Sequence, residues 1–129
     1  MASDPSGAAQ PATPIIVFDD EDVMLTFSSS HEAELAIEWP FVDEIAAGFD
    51  GLARPLVVAA IGESVVIYVS GTQPNLPELI AHVETYFRSW TETLPPGRLL
   101  RTPDYIAEAI RLQATARLRR RKRKKGDGF

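Results

Sequence analysis

The chain has 129 residues, 45% hydrophobic and 24% charged, with no cysteine. That length suits one core, because two smaller ones would each be marginal, and the missing cysteine excludes disulfides, thiolate metal sites and cysteine nucleophiles. The formal net charge of -5 hides a division: residues 1–116 carry five Arg and no Lys against seventeen acids, a net of -12, whereas residues 117–129 carry eight Lys/Arg against one Asp, a net of +7.

Residues 1–14 are rich in Ala, Ser, Gly and Pro, a composition that does not repay ordering, so a disordered leader is expected. It lacks the cationic and apolar regions of a secretory signal, and no stretch of the chain approaches the about 20 apolar residues of a membrane-crossing helix. The expected compartment is the cytoplasm. Two β-branched and aromatic runs, residues 15–18 and 23–27, flank Asp19-Asp20-Glu21-Asp22 and read as a hairpin. Ser29 and Glu32 have capping-box spacing, which predicts a helix over residues 30–39. Ala33, Ala36 and Ile37 would face inward and Pro40 would stop the helix.

Residues 44–49 and 52–61 flank Asp50-Gly51, a pair suited to a tight type I′ turn. Gly62-Glu63 then leads to the nearly continuous apolar run from Val65 to Val69, predicted to be a central strand covered on both faces of a three-stranded meander. Asn75 and Glu78 can cap a second helix whose Leu76, Leu79, Ile80, Val83, Phe87 and Trp90 recur at three-to-four-residue spacing. Pro95-Pro96-Gly97 breaks the pattern, and Thr102-Pro103 opens a third helix with Tyr105, Ile106, Ala109 and Ile110 inward, extending as far as Leu118. The predicted fold is α+β, a small antiparallel sheet of about five strands packed by helices in the order ββαβββαα. One domain would cover residues 15–116, followed by a basic tail over 117–129.

No constellation of nucleophile, base and orienting group can be named, so the chain is not expected to be an enzyme, and no catalytic, metal or cofactor residue is assigned. His31 and His82 lie far apart in sequence and lack a nucleophile elbow or a zinc motif. Gly48, Gly51 and Gly62 lack the spacing of a phosphate loop. The Asp19–Asp22 cluster departs from calcium-loop spacing; with Glu34 and Glu38 it is better suited to steering a basic protein partner. Arg117, Arg119, Arg120, Arg121, Lys122, Arg123, Lys124 and Lys125 form the second candidate surface. It can neutralise nucleic-acid phosphates without sequence specificity, lie on anionic lipid, keep the terminus soluble, or contact the acidic body.

The stretch from Leu25 to Glu38, followed by Val42-Asp43-Glu44 and Ala47-Gly48-Phe49-Asp50-Gly51, resembles a group of small bacterial immunity-like α+β proteins. Its members share a phenylalanine, a serine cap, Ala-Glu and Ile/Leu-Glu pairs, and a strand ending in Tyr/Phe-Asp before a glycine turn. The resemblance spans roughly residues 23–90 and implies a role in binding a toxin protein. The leading expectation is therefore a non-enzymatic interaction module whose acidic body binds a basic partner. The alternative is a nucleic-acid accessory protein acting through its tail.

Overall fold

The apolar tetrapeptide Ile15-Ile16-Val17-Phe18 organises the fold, because every one of its side chains is buried and successive side chains of a strand point to opposite faces. A computed structural model describes residues 10–71 and 73–119. In it, β1 (Ile15–Asp19) lies between β2 (Met24–Phe27) and β3 (Ile45–Phe49) in an antiparallel three-stranded sheet, and β4 (Leu56–Ile61) pairs with β5 (Ser64–Val69) in a second, two-stranded sheet. The helices are α1 (Ser30–Ala36), a 3-10 helix (Trp39–Glu44), α2 (Leu76–Trp90) and α3 (Thr102–Thr115). The chain is thus α+β, with the five strands and the element order that the sequence implies.

Ile16 and Phe18 face α2 and α3, meeting Leu79, Val83, Phe87, Tyr105 and Ile106. Ile15 and Val17 face the other way, toward Ala33 and Ile37 of the α1 segment and Val65 and Ile67 of β5. Three layers result: two helices, the three-stranded sheet, and the β4/β5 hairpin with α1.

The predicted meander is split. The strand covered on both faces is β1, whereas β5 is an outer strand with alternating burial. The predicted tight turn at Asp50-Gly51 is a wider loop instead. Phe49 bridges to Pro55, Ala53 takes a positive φ of 64°, and Asp50 is fully buried. Its carboxylate accepts hydrogen bonds from the backbone N–H groups of Leu52, Arg54 and Ala12, and binds the Arg54 guanidinium at 2.8 Å.

The expected disordered leader is corrected for residues 10–14. Ala12 donates to Asp50 and accepts from the Gly51 N–H at 2.8 Å, and Arg54 donates to the Gln10 carbonyl. A Cβ on Gly51 would collide with the Thr13 carbonyl, so glycine is needed there for close approach. Residues 1–9 lie outside the described residues.

The first helix is also shorter than predicted. It ends at Ala36, because Ile37 turns to extended backbone and buries its side chain against β1 and β5. Pro40 then opens the 3-10 helix, where its missing N–H costs nothing. The third helix ends at Thr115, short of Leu118. Leu118 instead bridges to Thr91, with Glu92 N–H donating to Arg117 O and Arg119 N–H donating to Trp90 O. Residues 117–119, read as tail, are therefore paired to the end of α2.

Candidate partner-binding strip

The Ser29 hydroxyl accepts from Glu32 N–H at 3.0 Å, and the Glu32 carboxylate reaches back to the Ser28 N–H at 2.6 Å. The Ser28 N–H, with a second bond from the Ser28 hydroxyl, holds the Glu32 carboxyl below its ordinary pKa. Capped in this way, α1 lies beside the outer edge of β5. Glu34 from α1 accepts a hydrogen bond from Ile67 N–H at 2.8 Å, which blocks an edge amide that would otherwise template strand addition. Beyond it, Glu38 and Trp39 together with Glu63 from the β4–β5 turn line an open groove of about 650 Å³.

The 3-10 helix continues from that groove, and none of its residues is buried. Trp39 is 43% exposed and Phe41 49% exposed, with Leu35 of α1 still more open at 74%. Asp43 and Glu44 are exposed near its far end, where the Glu44 carbonyl accepts from the Asp20 N–H at 2.8 Å. Six residues at roughly 2 Å rise each place the groove about 12 Å from the β1–β2 turn. One strip thus runs from Glu34, Glu38 and Glu63 through Trp39 and Phe41 to Asp43, Glu44 and Asp20.

The six acids selected from sequence therefore occupy the two ends of this strip, and they differ in availability. Asp19 accepts from the N–H groups of Glu21 and Val23 through one oxygen and holds the turn in shape. Glu34 spends an oxygen on Ile67. Asp20 and Glu21 are exposed, and Asp22 takes a positive φ of 68°. Among the described residues, Glu34, Glu38, Asp43, Glu44 and Glu63 form no ion pair. The only Lys or Arg in residues 1–87 is Arg54, which is committed to Asp50. Sequence reasoning missed Trp39, Phe41 and Glu63. The available signal was Trp-Pro-Phe between a helix and a strand, where neither periodicity assigns an aromatic ring a buried partner.

His31 lines the groove. His82 is distant from it, its ring stacked on Phe18 with centroids 5.0 Å apart. Among the described residues no group of three or more acids and histidines has the geometry to hold a metal ion. No helix among them is long and apolar enough to cross a membrane.

The other candidate surface begins at the end of α2. Arg117 stands 3.9 Å from Glu92, and the Arg119 guanidinium donates to the Arg88 carbonyl at 3.1 Å. Arg120, Arg121, Lys122, Arg123, Lys124 and Lys125 lie outside the described residues. Nearby, Arg98 grips Glu84 with Nε and Nη2, each at 2.6 Å. That pairing pulls the Glu84 carboxyl below its ordinary pKa despite the opposing effect of burial. Tyr105 is completely buried, and its hydroxyl finds no hydrogen-bond partner among the described residues. Burial is the main cause pushing it up to about 12. In comparisons with known proteins, the chain matches no family model, no curated protein and no solved structure.

Proposed function

We propose that this protein is a non-enzymatic interaction module whose acidic strip binds a basic partner protein, in the manner of an immunity protein. The observation that carries the reading is the 3-10 helix Trp39–Glu44, which has no buried residue and holds two open aromatic rings between carboxylates. Buried aromatic anchors supply most of the affinity at protein interfaces, and a field of one sign accelerates encounter with a partner of the other. Trp39 and Phe41 would be the anchors; Glu38, Glu63, Asp43, Glu44 and Asp20 would steer. The backbone that carries both rings is already ordered as a short helix, so binding need not order it.

The test is affinity capture of basic proteins from a host lysate, followed by titration of the captured protein with wild type, Trp39→Ala and a Glu38→Gln/Glu63→Gln double variant. Trp39→Ala should weaken binding on the order of thirtyfold, and the double variant should lower the association rate and its salt dependence. Unchanged affinity and rate in both variants would reject the strip as the binding surface. The second reading, nucleic-acid contact through the tail, rests on the run of six Lys/Arg after Arg119 and calls for a steep fall of affinity with salt.

A further inference from the structure

We infer that the partner of the acidic strip enters as an extended basic segment, which adds a short strand to β5 at Val65 inside the groove. The inference rests on the strip as the binding surface and names the form of what binds there. In the β4–β5 hairpin Ser64 lies opposite Ile61, Val66 opposite Ala59 and Tyr68 opposite Val57, and Ser70 N–H donates to Pro55 O at 3.0 Å. Ile67 N–H points away from β4, to the Glu34 carboxylate at 2.8 Å. Successive residues of an antiparallel pair alternate in this respect, so Val65 also turns its N–H and C=O away from β4, on the side of Ile67. Val65 is 8% exposed and lines the groove. Among the described residues, neither of these backbone groups is bonded to a partner outside the hairpin.

Buried backbone groups without a partner are rare, and these two adjoin an open groove. A chain in extended form, with its own N–H and C=O free, satisfies both at once; a helix, whose groups bond internally, satisfies neither. Because Glu34 already holds the Ile67 amide, the added strand is limited to one residue pair on this edge. The side chains beside that pair are selected by charge. Glu34, Glu38 and Glu63 line the groove, which has no Lys or Arg among its lining residues, and the Trp39 indole offers its face to a cation. The volume of about 650 Å³ suits a few residues of chain.

The test uses the full chain and an acetylated, amidated peptide of sequence Lys-Val-Lys-Val-Lys, with two further versions N-methylated on its Val amides or on its Lys amides. Neighbouring residues of a strand face opposite ways, so only one of these sets faces Val65. Bound peptide should slow hydrogen exchange at the Val65 N–H on the order of tenfold. One methylated version should lose affinity on the order of tenfold while the other keeps it, and Glu38→Gln/Glu63→Gln should weaken every version. Equal affinities of the two methylated versions, or unchanged exchange at Val65 while the Trp39 indole resonance shifts, would overturn the extended mode and leave the strip as the binding surface. A peptide that binds without moving the Trp39 resonance would count against the strip itself. Absence of any association would overturn the inference, and the strip would then be judged on the captured partner alone.

Discussion

The two ends of this molecule handle charge in opposite ways. In residues 1–87 fourteen acids face a single cation, and that cation, Arg54, is consumed inside by a buried carboxylate. From residue 88 onward the described arginines are interleaved with acids and grip them, as in Arg98 with Glu84 and Arg111 with Glu108. Where carboxylates are fixed by cations or backbone amides they build the fold; where they are left open beside exposed aromatic rings they are available to a partner. Density of acids alone does not mark a surface for binding, since Asp19, Asp50 and Glu84 are all structural.

The largest expected effect is at the buried carboxylate on the acid-rich side, Asp50. Asp50→Ala removes the acceptor for three backbone amides and strands Arg54, and should cost about 3–5 kcal/mol by chemical denaturation. Glu38→Gln and Glu63→Gln, on the open strip, should each stay within about 0.5 kcal/mol of wild type. Comparable losses at both places would erase the distinction. Next in size is the end of the chain. Truncation after Ala116 deletes the pairing of residues 117–119 with α2 and should lower stability by about 1–3 kcal/mol, whereas truncation after Arg119 should leave the thermal midpoint where it was.

Smaller effects come from titration at the cation-rich end. The folded Glu84 carboxyl titrates below its ordinary value of 4.5, so its contribution is present above that pH and is lost as the pH falls through the lower folded pKa. Denaturation midpoints followed from pH 6 to pH 3, conditions chosen to bracket about 4.5, should fall less steeply in Glu84→Gln. For Tyr105 the sign is reversed in direction of pH. The unfolded phenol ionises near 10 and the folded one at about 12, so stability falls as the pH rises across that window. Tyr105→Phe should remove this alkaline loss. It should also match or exceed wild-type stability at neutral pH, because it deletes a buried hydroxyl with no partner among the described residues.

Much of the architecture was legible in the residues. Ser29 with Glu32 and Asn75 with Glu78 announced two helix starts through local bonds that require no distant partner. The stripe on α2 announced its buried face. What escaped was long-range. Ile15 to Phe18 and Val65 to Val69 are equally apolar, and only tertiary packing decides that the first is central and the second lies at an edge. Asp50-Gly51 carries the dipeptide of a tight turn, but Asp50 is recruited by Ala12, 38 positions away. For the strip, Asp20, Glu34 and Glu38 were visible in sequence and Glu63, Trp39 and Phe41 were not, because exposure of a side chain depends on what fails to cover it.

Proton–nitrogen correlation spectra of the full chain offer the most direct test, because its two tryptophans sit at separate stations. Trp39 lies in the groove, and the Trp90 indole N–H donates to the Glu21 carbonyl at the β1–β2 turn. The titrant is a synthetic peptide of alternating Lys and Leu, a minimal basic and apolar partner. The expected result is a saturable shift of the Trp39 indole, larger than that of Trp90 and removed by Glu38→Gln/Glu63→Gln. A Trp39 resonance that stays fixed through the titration would contradict the claim that the acidic strip is the binding surface.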